Sequence, residues 1–263
     1  MPDLFAGVAR LPGVDEAVAG ARAAVDRLLT HRILRRRSAE VSAEIALRDA
    51  RASAALEGAD IALERLRAIL TTGDEPPPLV TGAVRVSAEL GSLTPTWTLA
   101  PRQALARLHL LAVPDEGSAV GRPRAGRSAD DPLGLGPAPS PAEVGARLEL
   151  LSGALVGAST APAVVVAAVV HGELLVLRPF GVADGIVARA AARLVLAERG
   201  LDAKGVTAPD VGSLEQGGLT GYATAASAYA AGDVVGWVRH CAAAVALGAR
   251  EGLAVCEAMA RAD

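Results

Sequence analysis

Leu177-Arg178-Pro179-Phe180-Gly181-Val182-Ala183-Asp184-Gly185-Ile186-Val187-Ala188-Arg189 is the stretch on which the reading of this chain turns. An apolar run over residues 162–177 leads into it. A second run over 184–199, closed by Gly200 as a C-cap, leads out. The stretch therefore reads as a loop between two helices. Gly185 and the helix start behind it offer backbone N–H groups of the kind that hold anions. Aromatic residues are only 2% of the chain, so Phe180 inside a loop is a chosen anchor rather than filler.

Outward from this loop the spacing is helical almost everywhere. Val14, Val18, Ala21, Val25, Leu28 and Leu29 recur at three and four, and a second helix is expected over residues 39–70. Thr71-Thr72-Gly73-Asp74-Glu75-Pro76-Pro77-Pro78 ends it and serves as a linker. Short helices follow near 81–90 and 100–113. Residues 114–141, dense in Gly and Pro, form an insertion too long to be idle. Helices are then expected over 141–157, 162–177, 184–199, 216–230 and 233–260. The fold class is all-α, with an N-terminal helical region at 1–78 and a core at 79–263.

Composition sets further bounds. Apolar residues at 51% can bury a large core, which with so few aromatics must be built from Ala, Val and Leu. The net charge of −3 draws no nucleic acid, and the basic run His31-Arg32-Ile33-Leu34-Arg35-Arg36-Arg37 reads as a solvated helix end. Cys241 and Cys256 would lie about 22 Å apart on one helix, which forbids a disulfide and suits a reducing compartment. The N-terminus lacks the regions of a signal peptide. Residues 150–172 carry no Asp, Glu, Lys or Arg, but Ser159-Thr160-Ala161-Pro162 splits them into two buried helices rather than a membrane span. The expected setting is cytoplasmic, with no membrane and no nucleic acid as partner.

The loop resembles the signature of the Fic (filamentation-induced-by-cAMP, Fido-fold) family, His-Pro-Phe-x-Asp/Glu-Gly-Asn-Gly-Arg-x-x-Arg. Pro179, Phe180, Gly185 and Arg189 match at the right spacing. Other pieces stand in the family's order. They are Leu108-His109, the flap-like Gly121-Arg122-Pro123-Arg124, Pro139-Ser140-Pro141-Ala142-Glu143, His171 on the preceding helix, and Gly232-Asp233-Val234-Val235-Gly236-Trp237. Ser53-Ala54-Ala55-Leu56-Glu57-Gly58 resembles the family's inhibitory motif, Ser/Thr-x-x-x-Glu-Gly/Asn. The resemblance covers about residues 40–250. It implies a Fic/Fido-like helical bundle with a short β-hairpin-like flap carrying Arg122 and Arg124. It also implies a ligand region at Phe180, Asp184, Gly185 and Arg189, and a regulatory set of Ser53, Glu57 and Gly58.

The departures bear on activity. In the family the signature His accepts a proton from a target hydroxyl that attacks ATP, worth roughly 10²–10⁴-fold. Arg178 stands there, and a guanidinium only donates. Val182 replaces the acidic residue that helps hold Mg²⁺, Asp184 replaces Asn, and Ile186 replaces the first phosphate-binding Arg. Phosphoryl transfer depends on positioning and charge neutralisation, and here three such groups are missing together. Expected therefore are no catalytic residues, no metal ligands and no cofactor, ATP and Mg²⁺ entering only for a divergent active enzyme. The partners expected are a protein at the flap or a nucleotide-like anion near Asp184 and Arg189. Arg178 itself reads either as an anion binder or as a solvated or salt-bridged arginine. Glu57 and Arg189, both present, are expected to pair and lock the N-terminal helix to the core. The alternatives are an AMP-transferring enzyme restrained by Glu57, and a helical interaction protein with no ligand.

Overall fold

The computed structural model describes residues 3–113 and 120–262. Twelve α-helices and one 3₁₀ turn account for its regular structure among these residues. The helices are α1 (Leu4–Ala9), α2 (Val14–Leu29), α3 (Ser38–Ala55), α4 (Leu63–Thr72), α5 (Pro78–Leu99) and α6 (Pro101–Ala112). They continue with α7 (Pro141–Val156), α8 (Ala163–Leu177), α9 (Asp184–Glu198), α10 (Pro209–Glu215), α11 (Gly218–Ala230) and α12 (Val234–Ala262). The all-α reading holds.

The core is organised on α8 and α9. α8 is apolar on nearly every face, from Val164 to Leu177, so it must be enclosed rather than lie on a surface. α9 folds back against it, α5 covers α9, and α6 packs on α5. The long α12 packs on α8, α2 and α10, while α3 reaches α5, α9 and α10. Residues 157–162 break the charge-poor run as expected. There Asp3 accepts from the Ser159 hydroxyl (2.9 Å) and the Thr160 N–H (3.1 Å), tying the N-terminus to the turn. No helix among the described residues is long and apolar enough to cross a membrane.

Three expectations about elements need correction. The helix expected over 39–70 is two helices, because the chain turns at 56–62. Gly58 sits at φ +87°, and Arg51 fixes the return through the Ile61 carbonyl (2.8 Å) and Asp60 (2.5 Å). The short helix near 81–90 instead runs the full length of α5. Leu93 and Trp97 are buried, so packing carries the helix through Pro95 despite its missing N–H. Finally, α1, α10 and the 3₁₀ turn at Arg32–Arg35 are elements the periodicity did not reveal, all of them too short for an 11-residue window. Part of the expected insertion, 114–119, lies outside the described residues.

Candidate functional site

Loop 178–183 joins α8 to α9 in a conformation held from within. Arg178 (φ 43°) and Ala183 (φ 53°) both occupy the left-handed region, which costs a non-glycine residue of order 1 kcal/mol. Asp184 offsets that cost. Its Oδ1 accepts from the Phe180 N–H (2.9 Å) and its Oδ2 from the Gly181 N–H (2.7 Å), so the loop wraps around one carboxylate. Burial pushes the Asp184 carboxyl up to about 7, against the pull of those two N–H donors.

The segment at 120–140 closes over the loop. Among the described residues it contains no strand, but it pairs through main-chain hydrogen bonds. The Arg124 N–H donates to the Pro179 carbonyl (2.8 Å) and the Asp130 N–H to the Gly181 carbonyl (2.8 Å). Arg124 is buried and donates through Nε to the Arg178 carbonyl (3.0 Å) and through a terminal nitrogen to the Pro139 carbonyl. Arg122 is exposed. The two flap arginines thus have different surroundings, one a rivet and the other a surface charge.

Arg178 is likewise taken up by this segment. Its side chain is only 6% exposed, pairs with Asp131 (3.2 Å), and donates to the Gly136 carbonyl (2.6 Å). Phe180 lies flat against His109, with ring centroids 4.3 Å apart and planes 9° from parallel. His109 Nδ1 accepts from the Gly121 N–H (2.9 Å), and burial brings the imidazole down to about 4.

Arg189, fully buried on α9, gathers the residues singled out at the end of α3. It donates to Ser53 Oγ (2.9 Å), the Ser53 carbonyl (2.8 Å), Glu57 Oε1 (2.9 Å) and Tyr222 Oη (3.3 Å), with Asp210 at 3.8 Å. The Glu57 carboxylate also lies over Gly185 at the start of α9. A Cβ added at Gly185 would sit 1.8 Å from Glu57 Oε1, so a larger residue there would have to displace the Glu57 carboxylate.

Sequence reasoning missed the extension of this cluster. Asp49, one turn before Ser53 on α3, meets Arg193, one turn after Arg189 on α9, at 3.1 Å. Asp49 Oδ1 also caps α10, accepting from the N–H groups of Asp210 (2.8 Å) and Val211 (3.2 Å). Burial first, then the Asp210 charge, raises Asp49 to about 8. The i, i+4 spacing of Asp49 with Ser53 and of Arg189 with Arg193 was the available signal.

A cleft of about 390 Å³ opens beside the loop, with Arg178, Asp184, Gly185, Glu57 and Asp131 in its wall. Phe180 and Arg189 are buried rather than in that wall.

No protein-family profile and no curated protein sequence matches the chain. Solved structures do. A Fic family protein from Desulfovibrio desulfuricans superposes with a TM-score of 0.74 at 18% identity, over 90% of this chain and 74% of that one. Fic-1 from C. elegans gives 0.69 at 18% identity, over 95% and 74%. A Fic domain containing signaling protein from Bacteroides thetaiotaomicron gives 0.62 at 15%, over 92% and 98%. The arrangement of helices around loop 178–183 is therefore the Fic fold. At these identities the likeness extends to architecture and no further.

Proposed function

We propose that this chain is a Fic-fold pseudoenzyme that acts by binding through the cleft and flap beside loop 178–183. The observation that carries the reading is the engagement of Arg178. The group standing where the family has its proton acceptor is a buried guanidinium committed to Asp131 and the Gly136 carbonyl. It has no lone pair to accept a proton and no freedom to leave its partners cheaply. The residues present also do not suit a magnesium triphosphate. Val182 offers no oxygen, Glu57 covers the start of α9, and four carboxylates line the cleft.

The Glu57–Arg189 geometry favours one rival reading, an AMP-transferring enzyme held silent by Glu57. Purified wild type and Glu57→Gly, incubated with labelled ATP, Mg²⁺ and lysate, separate the two. Neither should label any protein. Labelling by Glu57→Gly that disappears when loop 178–185 is mutated would establish the restrained enzyme instead. Calorimetry of the wild type should show no Mg²⁺-dependent uptake of ATP.

A further inference from the structure

A second cavity, of about 440 Å³, lies toward the other end of α9 and shares no residue with the cleft beside loop 178–183. It opens between α3, α5, the C-terminal half of α9 and the turn at 202–207. Its size is that of a small-molecule site. Two cations line it, Arg193 and Lys204, and Lys204 is the only lysine among the chain's 26 lysine and arginine residues. Arg193 donates through one terminal nitrogen to Ser87 Oγ (3.0 Å) and meets Asp49 through Nε (3.1 Å). Its second terminal nitrogen has no acceptor among the described residues and is open to solvent rather than sealed in the core. Lys204 is exposed and directs one of its three donors to the Leu34 carbonyl (3.3 Å). Ser87 accepts from Arg193, which leaves its own O–H to donate, and Ser42 has no hydrogen-bond partner among the described residues. The carboxylate in the wall is already engaged. Asp202 accepts from the N–H groups of Val206 and Thr207 (2.9 Å each) and from the Thr207 hydroxyl (2.6 Å). Thr94 and Thr98 turn their hydroxyls back on carbonyls of α5. Burial holds the Asp49 carboxyl protonated toward neutral pH, so it cancels little of the Arg193 charge. The cavity therefore presents open donors and positive charge, with no free carboxylate facing them.

We propose that this cavity binds a small oxyanion, the phosphate or carboxylate group of a small molecule, between Arg193 and Lys204, with the Ser42 and Ser87 hydroxyls donating to it. An oxyanion offers several lone-pair acceptors and no donor, which is the complement of this wall. The arginine brings a planar fork fixed by Ser87 and Asp49, and the lysine a compact charge on a flexible stem at the rim. A cation is repelled here, and a neutral polyol leaves both charges unanswered. The cavity is larger than the anionic group alone, so the body of the ligand rests on Ala46, Leu90 and Pro95. This site is separate from the cleft at the loop, and neither reading depends on the other.

The test titrates the ¹⁵N-labelled full chain, near neutral pH, with sodium phosphate and with sodium acetate, against sodium chloride at matched ionic strength. At least one oxyanion should shift amides in 42–46, 87–94 and 202–207 saturably and beyond the chloride control. Saturation by phosphate alone points to a phosphate ligand, by acetate alone to a carboxylate, and by both to a site that reads the oxyanion itself. The saturating probe, at about twice its dissociation constant, should slow acetylation of Lys204 by N-hydroxysuccinimidyl acetate about three-fold. The single lysine makes that readout specific. Lys204→Gln, at an exposed position, and Arg193→Lys, which keeps a charge facing Asp49, should each weaken binding about three- to ten-fold. No saturable shift with either probe, shifts confined to other surfaces, unaltered acetylation of Lys204, or unchanged affinity in either variant would overturn the proposal. None of these results bears on the labelling assay, which tests the loop alone.

Discussion

At Arg189, oxygens of Ser53, Glu57, Tyr222 and Asp210 converge on one guanidinium with no exposed side-chain surface. A buried charge of this kind is tolerable because every direction holds a partner, and removing one leaves part of it unpaired. Glu57→Gly should therefore lower unfolding free energy by about 3 kcal/mol, read from urea denaturation. Glu57→Gln, which keeps an oxygen acceptor, should lose less. An unchanged midpoint in Glu57→Gly would mean that this pair does not lock the end of α3 to α9. Arg178 illustrates the same physics with a different outcome. Its partners, Asp131 and the Gly136 carbonyl, both belong to the covering segment, so its charge holds that segment down on the loop.

Between elements, close approach is set by residues with no side chain. On α5, a Cβ at Gly82 would stand 2.0 Å from the Ala112 carbonyl of α6, a backbone atom that cannot swing aside. Gly82→Ala should push α5 from α6 and destabilise by about 1–3 kcal/mol. Gly20, exposed in mid-α2 with nothing within 4 Å of an added Cβ, provides the contrast. Gly20→Ala should stabilise by about 0.5–1 kcal/mol through helix propensity alone. Chemical denaturation of both variants checks the pair, and a stabilising Gly82→Ala would show that the α5–α6 contact is loose.

For the whole molecule, buried titratable groups set how stability follows pH. Burial lowers His109 and His240 to about 4 and takes His171 well below its ordinary value. Their unfolded values lie near 6.5, so between 6.5 and 4 the unfolded chain binds more protons. Stability from these groups is complete above 6.5 and is lost as pH falls. Asp49 and Asp184, raised to about 8 and about 7, act with the opposite sign, since the folded protein holds their protons where the unfolded chain does not. The net curve mixes both, and a variant isolates one part. His109→Phe keeps a ring to stack on Phe180 and cannot take up a proton. Its stability deficit against wild type should narrow as pH falls from 6.5 to 4. A gap constant over that window, in paired thermal melts, would show that His109 protonation does not oppose folding.

The amino-acid sequence by itself determined the all-α class, the two helices flanking loop 178–183, and the spacing of Pro179, Phe180, Gly185 and Arg189. All of these follow from patterns within a few residues, where helical period and turn chemistry are written directly. It also put Arg178, whose guanidinium only donates, directly before Pro179, because the identity of a residue needs no geometry. The tertiary structure decided the rest. The turn at 56–62 broke a pattern that reads as one helix, and buried Leu93 and Trp97 carried α5 past a proline that reads as a stop. Only folding brought Asp49 to Arg193, or set Asp131 and Gly136 around Arg178. Such partners lie tens to more than a hundred residues apart. Burial removes the water that would otherwise satisfy these charges, so what pairs them is the enclosure, which no local pattern records.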